Sequence, residues 1–528
     1  MRWRSPISAL CLTVLFCLAV RTVSYSENSE REQKILRIQQ SIEQRDLEQA
    51  QQLLKEAARQ FPADPGFDNL QGIVDAQKGD FSRAESSFLE AVTRDPRFTG
   101  AYLNLGRLYQ ENAVLDPKGT QKALDTYAQV LRYDGKNTEA NYQSATLLLS
   151  LGEYQNSLAH LKLLPAATLA RPQALSVLCA DYAGLGDRER TDAASARMLA
   201  SPDLSEPDAR QAIPGLRAGK RDDLLVTLLE SLQKRQPLAP ELLHTLGLAY
   251  EGTNKLIEAR ATLEKSAVAN LSVASLLDLA RVAHKQQDYK GSLGYLAHAR
   301  DLEPENASLH YSFGLVCLDL DLVAEARNSF EKAIKLDPDN PSYNYAMGTA
   351  SAFRQDPEEA VPYFEKYIKL RPQDPRGKLA IGVVLWRAKN YDAAVPWLKR
   401  AASAKETAAT AHYYLGSIAL HENRLEEAFG ELQTALKAQP AYPDVLAQLG
   451  QYFLVRKDYA QAEQQLRRAL EIDPDHYSAN FYLLTLYTRT GDSRREAQAK
   501  HFEELKILLN EKTQELLRIV EVQPFETP

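Results

Sequence analysis

Apolar side chains recur along the chain with the spacing of amphipathic helices. Between residues 307 and 476 they stand three and four places apart, in two stretches within every 34 residues. An α-helix turns once in about 3.6 residues, so this spacing places them along one face of each helix. Short polar steps, several of them Asp-Pro, separate one stretch from the next. The pattern predicts an all-α fold in which each unit is a hairpin of two antiparallel helices.

Small residues occupy two columns of this repeat. If Ala307 is position one of a repeat, position 8 is glycine and position 20 is alanine in five successive units. These columns are Gly314, Gly348, Gly382, Gly416 and Gly450, and Ala326, Ala360, Ala394, Ala428 and Ala462. Glycine inside a helix costs about 1 kcal/mol relative to alanine, so its recurrence requires a packing reason. We expect both columns to lie where the paired helices approach closely, because a larger side chain would push them apart.

Together these columns resemble the tetratricopeptide repeat. A close match is carried by Leu449, Gly450, Phe453, Ala462, Leu466, Ala469 and Pro474. The resemblance covers about residues 31–510, or about fourteen units. It implies a right-handed superhelical solenoid whose first helices line a concave groove, and a function in protein–protein interaction.

Departures from the repeat divide the chain into segments. The predicted segments are a signal peptide (1–26), an N-terminal array (27–200), a degenerate stretch (201–239), a C-terminal array (240–493), a capping helix (494–522) and a tail (523–528). The degenerate stretch is interrupted by Pro202, Pro207, Pro214 and Pro237. It is either a hinge that bends or loosens the array or a packed but divergent repeat. The charged segment 494–522, which follows the C-terminal array, suits a cap, because the open end of a solenoid needs a polar outer face.

The first residues have the pattern of a secretory signal. Arg2 and Arg4 precede an apolar stretch at 7–20, which is shorter than the roughly 20 residues that cross a bilayer. Small residues at Ser24 and Ser26 place the cleavage after Ser26. The prediction is an exported protein, periplasmic or extracellular. The alternative is an uncleaved N-terminal anchor, which would be its only contact with a membrane.

Charge and cysteine content narrow the class of protein. The chain of 528 residues has 63 basic and 70 acidic residues, a net charge of −7, and no concentrated basic block. A nucleic-acid binder is therefore not expected, because such proteins need clustered positive charge to displace counterions. Cys179 and Cys317 lie at apolar positions several repeats apart, which is typical of inert buried thiols.

A search for chemistry finds no catalytic motif. The sequence has no glycine-rich phosphate loop, no Gly-x-Ser-x-Gly, no His-Glu-x-x-His and no Cys-x-x-Cys, and its nine histidines are scattered singly. Neighbouring carboxylates such as Glu426 and Glu427 are typical of a solvated helix face. We predict no catalytic, metal-binding or cofactor-binding residue, and a protein that is not an enzyme.

The remaining candidate is a surface. Positions 2, 9 and 13 of each first helix point away from its partner helix, and positions 5 and 12 lie at the border. The candidate groove contacts are Tyr311, Tyr345, Phe353, Trp386, Arg387, Tyr413, Leu420, Leu454 and Phe481. An aromatic and apolar stripe of this kind suits an extended peptide or a partner helix. The alternative is that these side chains fill the core between adjacent repeats.

Two hypotheses for function follow. The first is an exported, non-enzymatic scaffold or adaptor that binds peptide segments or partner helices of other proteins in its concave groove. The second is a glycan-handling envelope protein, related in role to subunits of polysaccharide export, in which groove aromatics stack on sugars.

Overall fold

A computed structural model describes residues 25–353 and 357–511, with side chains from Glu30 to Phe353 and from Pro357 to Ile507. The described residues form 29 α-helices and no strand, and most helices pack against the next one along the chain as hairpins, for example α3 with α4 and α18 with α19. The predicted all-α repeat array is confirmed. The predicted signal peptide lies outside the described residues except for its last two positions, as do residues 512–522 of the predicted cap and the tail.

The chain divides after Asn254 into two compact units, here called the first and second unit. The helices of the first unit are α1 Tyr25–Glu43, α2 Leu47–Gln60, α3 Pro65–Gln77, α4 Phe81–Arg94, α5 Thr99–Glu111, α6 Gly119–Tyr133, α7 Thr138–Ser150, α8 Tyr154–Leu161, α9 Ala166–Leu169, α10 Pro172–Gly184, α11 Arg188–Leu199, α12 Glu206–Ala218, α13 Asp222–Gln233 and α14 Pro240–Gly252.

The second unit begins at Lys255. Its helices are α15 Leu256–Ala269, α16 Val273–Lys285, α17 Tyr289–Leu302, α18 Ala307–Asp319, α19 Val323–Leu336, α20 Pro341–Phe353, α21 Pro357–Leu370, α22 Arg376–Arg387, α23 Tyr391–Ala402, α24 Lys405–His421, α25 Leu425–Ala438, α26 Pro443–Val455, α27 Tyr459–Ile472, α28 Tyr477–Thr490 and α29 Arg495–Glu511.

The turn inside a hairpin has a recurring form. A residue with positive φ ends the turn, and in several hairpins, such as those of Gly79 and Gly186, it is followed by an aspartate that caps the second helix. The Asp80 side chain accepts a hydrogen bond from the Arg83 backbone N–H, and Asp458 does the same for Gln461. Such caps satisfy backbone donors that the first helical turn leaves without partners. The turns therefore set where each second helix begins.

The small columns meet the large apolar column within each hairpin. A β-carbon at Gly314, Gly348, Gly382, Gly416 or Gly450 would lie within 2.9 Å of a side-chain carbon on the second helix. The residues that fill this space are Phe330, Phe364, Leu398, Leu432 and Leu466. All five alanines of the second column are fully buried. Each glycine thus makes room for a large side chain of its partner helix, which is the packing reason for its recurrence.

Residues 201–239 form α12 and α13, and α12 packs directly on α10. A β-carbon at Gly215 would lie 2.2 Å from the Ala180 carbonyl oxygen, and one at Gly219 would lie 2.4 Å from that of Ala183. The two helices therefore touch backbone to backbone. Pro207 lies in the first turn of α12, where a missing N–H breaks no helical hydrogen bond. The proline-rich sequence here accommodates an unusually close helix contact.

Candidate functional site

Two of the four aromatic residues predicted at position 5, Tyr311 and Tyr345, lie in the core. Tyr311 and Tyr345 are 7% and 4% exposed. The Tyr311 ring is centred 5.0 Å from that of Tyr343, and the Tyr345 ring 4.9 Å from that of Tyr367. These rings fill space within and between hairpins of the second unit, so they offer little area to a ligand.

The leucines of the predicted stripe are also buried. Leu420 and Leu454 are 9% and 3% exposed. Leu420 packs in a cluster with Ala428 and Tyr452, and Leu454 packs in another that includes Leu466. Both side chains therefore contribute to the contacts between neighbouring repeats.

Four of the predicted contacts are half-buried: Phe353, Trp386, Arg387 and Tyr413. The Trp386 ring is centred 4.8 Å from Tyr414 and meets it edge to face. Burial lowers the pKa of Arg387 and raises the pKa of Tyr413 well above its usual range. Both side chains are thus partly removed from water while still reaching the surface of the first helices.

Phe481 is the most exposed of the predicted residues. It is 45% exposed, and its ring is centred 5.8 Å from Phe502 of α29. Phe502 also lies 5.0 Å from the ring of Tyr477. The last described helix thus partly covers the end of the aromatic stripe.

Phe353 and Arg387 belong to a longer surface row whose other members were not predicted from the sequence. Position 13 of the first helices α20, α22, α24, α26 and α28 carries Phe353, Arg387, His421, Val455 and Arg489, and we call this set the position-13 row; the preceding first helix, α18, has Asp319 there. His421 lies 4.9 Å from the ring of Tyr391, and the Arg489 guanidinium donates to the Leu454 carbonyl oxygen at 3.3 Å. His421, Val455 and Arg489 are exposed. The spacing that links Phe353 to Arg387 would have found them if it had been continued along the chain.

The first helices of the first unit carry a different, polar set of contacts. Asn104 donates to the side-chain oxygen of Asn69 at 2.9 Å, and Arg107 pairs with Glu139 at 3.0 Å. Further along, Gln211 accepts hydrogen bonds at 3.3 Å from the Tyr142 hydroxyl and 3.1 Å from Ser176. No regular column marked these residues in the sequence, because the repeats of this unit match the pattern less closely.

Within the ranges the structure describes, no group of three His, Cys, Asp or Glu side chains is placed to hold a metal ion. None of the described helices is both long and apolar enough to cross a bilayer. Cys179 and Cys317 are buried, and burial raises the pKa of each thiol to about 12.

Comparison with protein families identifies the repeat. Two family models match the chain, and both are described as tetratricopeptide repeat. The first matches residues 42–97, 277–341 and 345–409, and the second matches residues 419–485. No curated protein matches the sequence.

Several solved structures are similar over long stretches. A tetratricopeptide repeat protein from Parabacteroides merdae ATCC 43184 has a TM-score of 0.41 and 14% identity, over 47% of this chain and 99% of that one. Yeast Tom70 has a TM-score of 0.38 and 15% identity, over 93% of this chain and 98% of that one. YrrB, described as a TPR protein with an unusual peptide-binding site, has a TM-score of 0.28 and 23% identity, over 35% of this chain and 95% of that one.

The family matches coincide with hairpins in both units. Residues 42–97 span the second helix of the first hairpin and the whole of the next, and the three later ranges cover α16 to α28 almost without a break. The predicted family resemblance is confirmed over these residues. The protein therefore carries tetratricopeptide repeats in its first and its second unit.

Proposed function

We propose that the protein is a non-enzymatic, exported scaffold that binds polypeptide segments of other proteins along the first helices of its repeats. Tetratricopeptide repeats support a role in protein–protein interaction, because stacked hairpins present one extended surface in place of a compact pocket. The position-13 row of the second unit is the observation that carries the choice of ligand.

The position-13 row combines apolar and cationic groups at regular intervals. Phe353 and Val455 are apolar, while Arg387 and Arg489 are cationic. Neighbouring packed helices lie about 10 Å apart, and an extended peptide rises about 3.3 Å per residue. Every third residue of an extended segment would therefore meet one member of the row. The ligand that fits is a peptide with acidic and apolar side chains at about this interval, because opposite charges pair and apolar groups leave water together.

Tryptophan emission gives a direct test of this surface. Trp386 lies beside Arg387 on α22, whereas Trp397 lies on the second helix α23, where Arg400 stacks over it at 4.9 Å. In a Trp397→Phe protein, we expect an acidic, apolar peptide to change the emission, and Val455→Asp with Arg489→Glu to weaken its Kd at least about 10-fold.

The matched control is Lys399→Glu, which reverses an exposed charge on the second helix of the Trp386 repeat and should leave the Kd unchanged. A Trp386→Phe protein shows which part of the signal belongs to Trp386. Equal effects of Lys399→Glu and of the row variants would contradict the proposed surface. A response to oligosaccharides and not to peptides would do the same.

Among the described residues, the predicted stripe offers little open aromatic surface to a sugar. Sugars stack on exposed aromatic faces, whereas Tyr311 and Tyr345 are buried against other aromatic residues and Phe481, which is 45% exposed, lies beside Phe502. Peptide binding is therefore the function proposed, and oligosaccharides serve as the comparison ligands.

Export is supported by the sequence of residues 1–26 alone. We expect protein recovered from the extracytoplasmic fraction to begin near Glu27, as read by N-terminal sequencing. Replacing the apolar residues Leu15 and Leu18 by arginine should retain the full-length chain inside the cell, since a charged segment is not recognised as a signal. Recovery of wild-type chain that begins at Met1 and remains in the cytoplasm would contradict export.

A further inference from the structure

A buried carboxyl group in the first unit breaks the pattern of its column. Asp181 stands at position 10 of its repeat, on α10, and is fully buried. In six other repeats the same position is apolar and at most 5% exposed: Val74, Leu108, Val282, Val316, Val384 and Ile418. No described residue forms an ion pair with Asp181, and its Oδ1 has no hydrogen-bond partner there. An isolated buried carboxylate is costly, so its charge state has to be explained.

The partner of Asp181 is a serine that has two oxygen neighbours. Ser157 Oγ lies 2.6 Å from Asp181 Oδ2 and 2.9 Å from the Ala145 carbonyl oxygen. Ser157 occupies position 20, where most repeats have alanine. A hydroxyl carries one proton, so it donates to only one of these two oxygens.

A second serine in the same column shows where that proton goes. Ser292, also at position 20 of its repeat, donates to the Ala280 carbonyl oxygen at 2.8 Å. Ala280 and Ala145 both stand at position 8 of their repeats, so the two serines have the same backbone acceptor. If Ser157 donates to Ala145 as Ser292 does to Ala280, the short contact with Asp181 needs a proton from the carboxyl group.

We propose that Asp181 is held as a neutral carboxylic acid that donates to Ser157 Oγ, and that its ionisation loosens α10 from α7 and α8. The chain of donors then runs from Asp181 through Ser157 to the Ala145 carbonyl, and every proton has an acceptor. Loss of the Asp181 proton places a charge in an apolar core, and Ser157 can then donate to the carboxylate only by turning its hydroxyl proton away from the Ala145 carbonyl oxygen. This makes the hairpins around α10 a pH-sensitive element of the array.

The other titratable groups near α10 are bonded elsewhere. On α7, Glu139 pairs with Arg107 and Tyr142 donates to Gln211. On α8, His160 bonds to the Asn141 side chain and burial lowers the pKa of His160, while the Tyr154 ring lies against Gly184.

The described helices after α8 bring no charged side chain to Asp181 either. The charged groups of α11 are exposed, and α9 has none. On α12, the buried Asp208 bonds to Ser205, whereas Arg210 and Arg217 are exposed. On α10 itself, Tyr182 lies under Arg190, and the buried Cys179 thiol lies 3.9 Å from the Thr191 carbonyl oxygen.

The direction of the pH effect follows from the protonation of Asp181. Burial raises its pKa to about 7, against about 3.9 for an exposed aspartate. The folded state therefore holds the proton more tightly than the unfolded state. The contribution of Asp181 to the free energy of unfolding is therefore complete below about pH 4, falls as the pH rises, and is lost above about pH 7. On the same helix, the Ser176 hydroxyl lies 2.8 Å from the Gln173 carbonyl oxygen and 3.1 Å from the Gln211 side-chain oxygen, so loosening α10 also alters the polar face of the first unit.

Asp181→Asn tests the proposal because its amide N–H replaces the carboxyl donor and does not ionise. We expect the melting temperature of the wild type to fall by about 5 °C or more between pH 5 and pH 8.5, relative to that of Asp181→Asn. Hydrogen exchange should place the difference in α7, α8 and α10. Asp75→Asn is the matched control, because Asp75 is also buried in the first unit but accepts a hydrogen bond from Gln71 at 3.0 Å.

Infrared difference spectra test the protonation itself. At pH 5.5 exposed carboxyl groups are ionised, so the wild type should show a protonated-acid band that Asp181→Asn lacks and Asp75→Asn keeps. Asp181→Val, which restores the apolar residue of other repeats, should also lack the band and the pH dependence. The same pH dependence in the wild type and Asp181→Asn, or the same infrared band in both, would overturn the proposal.

Discussion

Replacing Phe364 by alanine is expected to lower the free energy of unfolding of the second unit by about 4 kcal/mol. The Phe364 side chain is fully buried, and its ring occupies the space that the missing side chain of Gly348 leaves on α20. It also meets the Tyr345 ring edge to face at 5.3 Å. Truncation removes these contacts and leaves a cavity that the rigid helix pair closes only in part. Chemical denaturation followed by tyrosine and tryptophan fluorescence measures the loss.

Phe364→Leu is the matched control, because leucine stands at the same position in the three following repeats, as Leu398, Leu432 and Leu466. We expect it to cost less than about 1.5 kcal/mol. Hydrogen exchange in the alanine variant should rise mainly in α20, α21 and the adjacent helices, because each repeat contacts only its neighbours. Equal costs for the two variants would contradict the proposed fit of ring and glycine.

Gly215→Ala is expected to destabilise the first unit by about 3 kcal/mol, although alanine is the better helix former. The added methyl group would meet the carbonyl oxygen of Ala180 at 2.2 Å. A backbone atom held in a helix cannot rotate away as a side chain can, so α12 has to move from α10. Thermal unfolding monitored by circular dichroism, with hydrogen exchange in α10 and α12, measures the effect.

Gly100→Ala provides the comparison within the same unit. A β-carbon at Gly100, on α5, would meet only the Phe98 side chain, at 3.5 Å, which is ordinary contact. This variant is expected to gain up to about 1 kcal/mol from helix propensity. If Gly215→Ala proves as well tolerated as Gly100→Ala, the backbone contact between α10 and α12 is not the reason for glycine there.

The exposure of the candidate groove contacts could not be predicted from the sequence. Periodicity placed Tyr311 and Phe481 in one column at the border of the first helices, and a column holds its side chains at one angle about the helix. The spacing of the column does not specify how closely the next helix approaches. The structure leaves Tyr311 7% exposed and Phe481 45% exposed, because a further repeat packs after Tyr311, whereas α29 is the one described helix after that of Phe481.

Residues 201–239 pose a related problem. Prolines and glycines are common both in mobile connections and in close helix contacts, so Pro214 and Gly215 were open to either interpretation. The distance between the two helix backbones distinguishes a mobile connection from a close helix contact. This distance involves residues about 35 positions earlier in the chain, Ala180 and Ala183. No short stretch of sequence specifies this distance.

The amino-acid sequence by itself determined the helical hairpin, its period and the small columns, because these follow from local geometry repeated every 34 residues. Only the tertiary structure decided which border side chains are buried, that α12 lies against the backbone of α10, and that Asp181 meets Ser157. Each of these depends on the distance between helices that are remote in the chain. Such distances are set by how whole side chains fit together, and the spacing of residue types does not specify that fit.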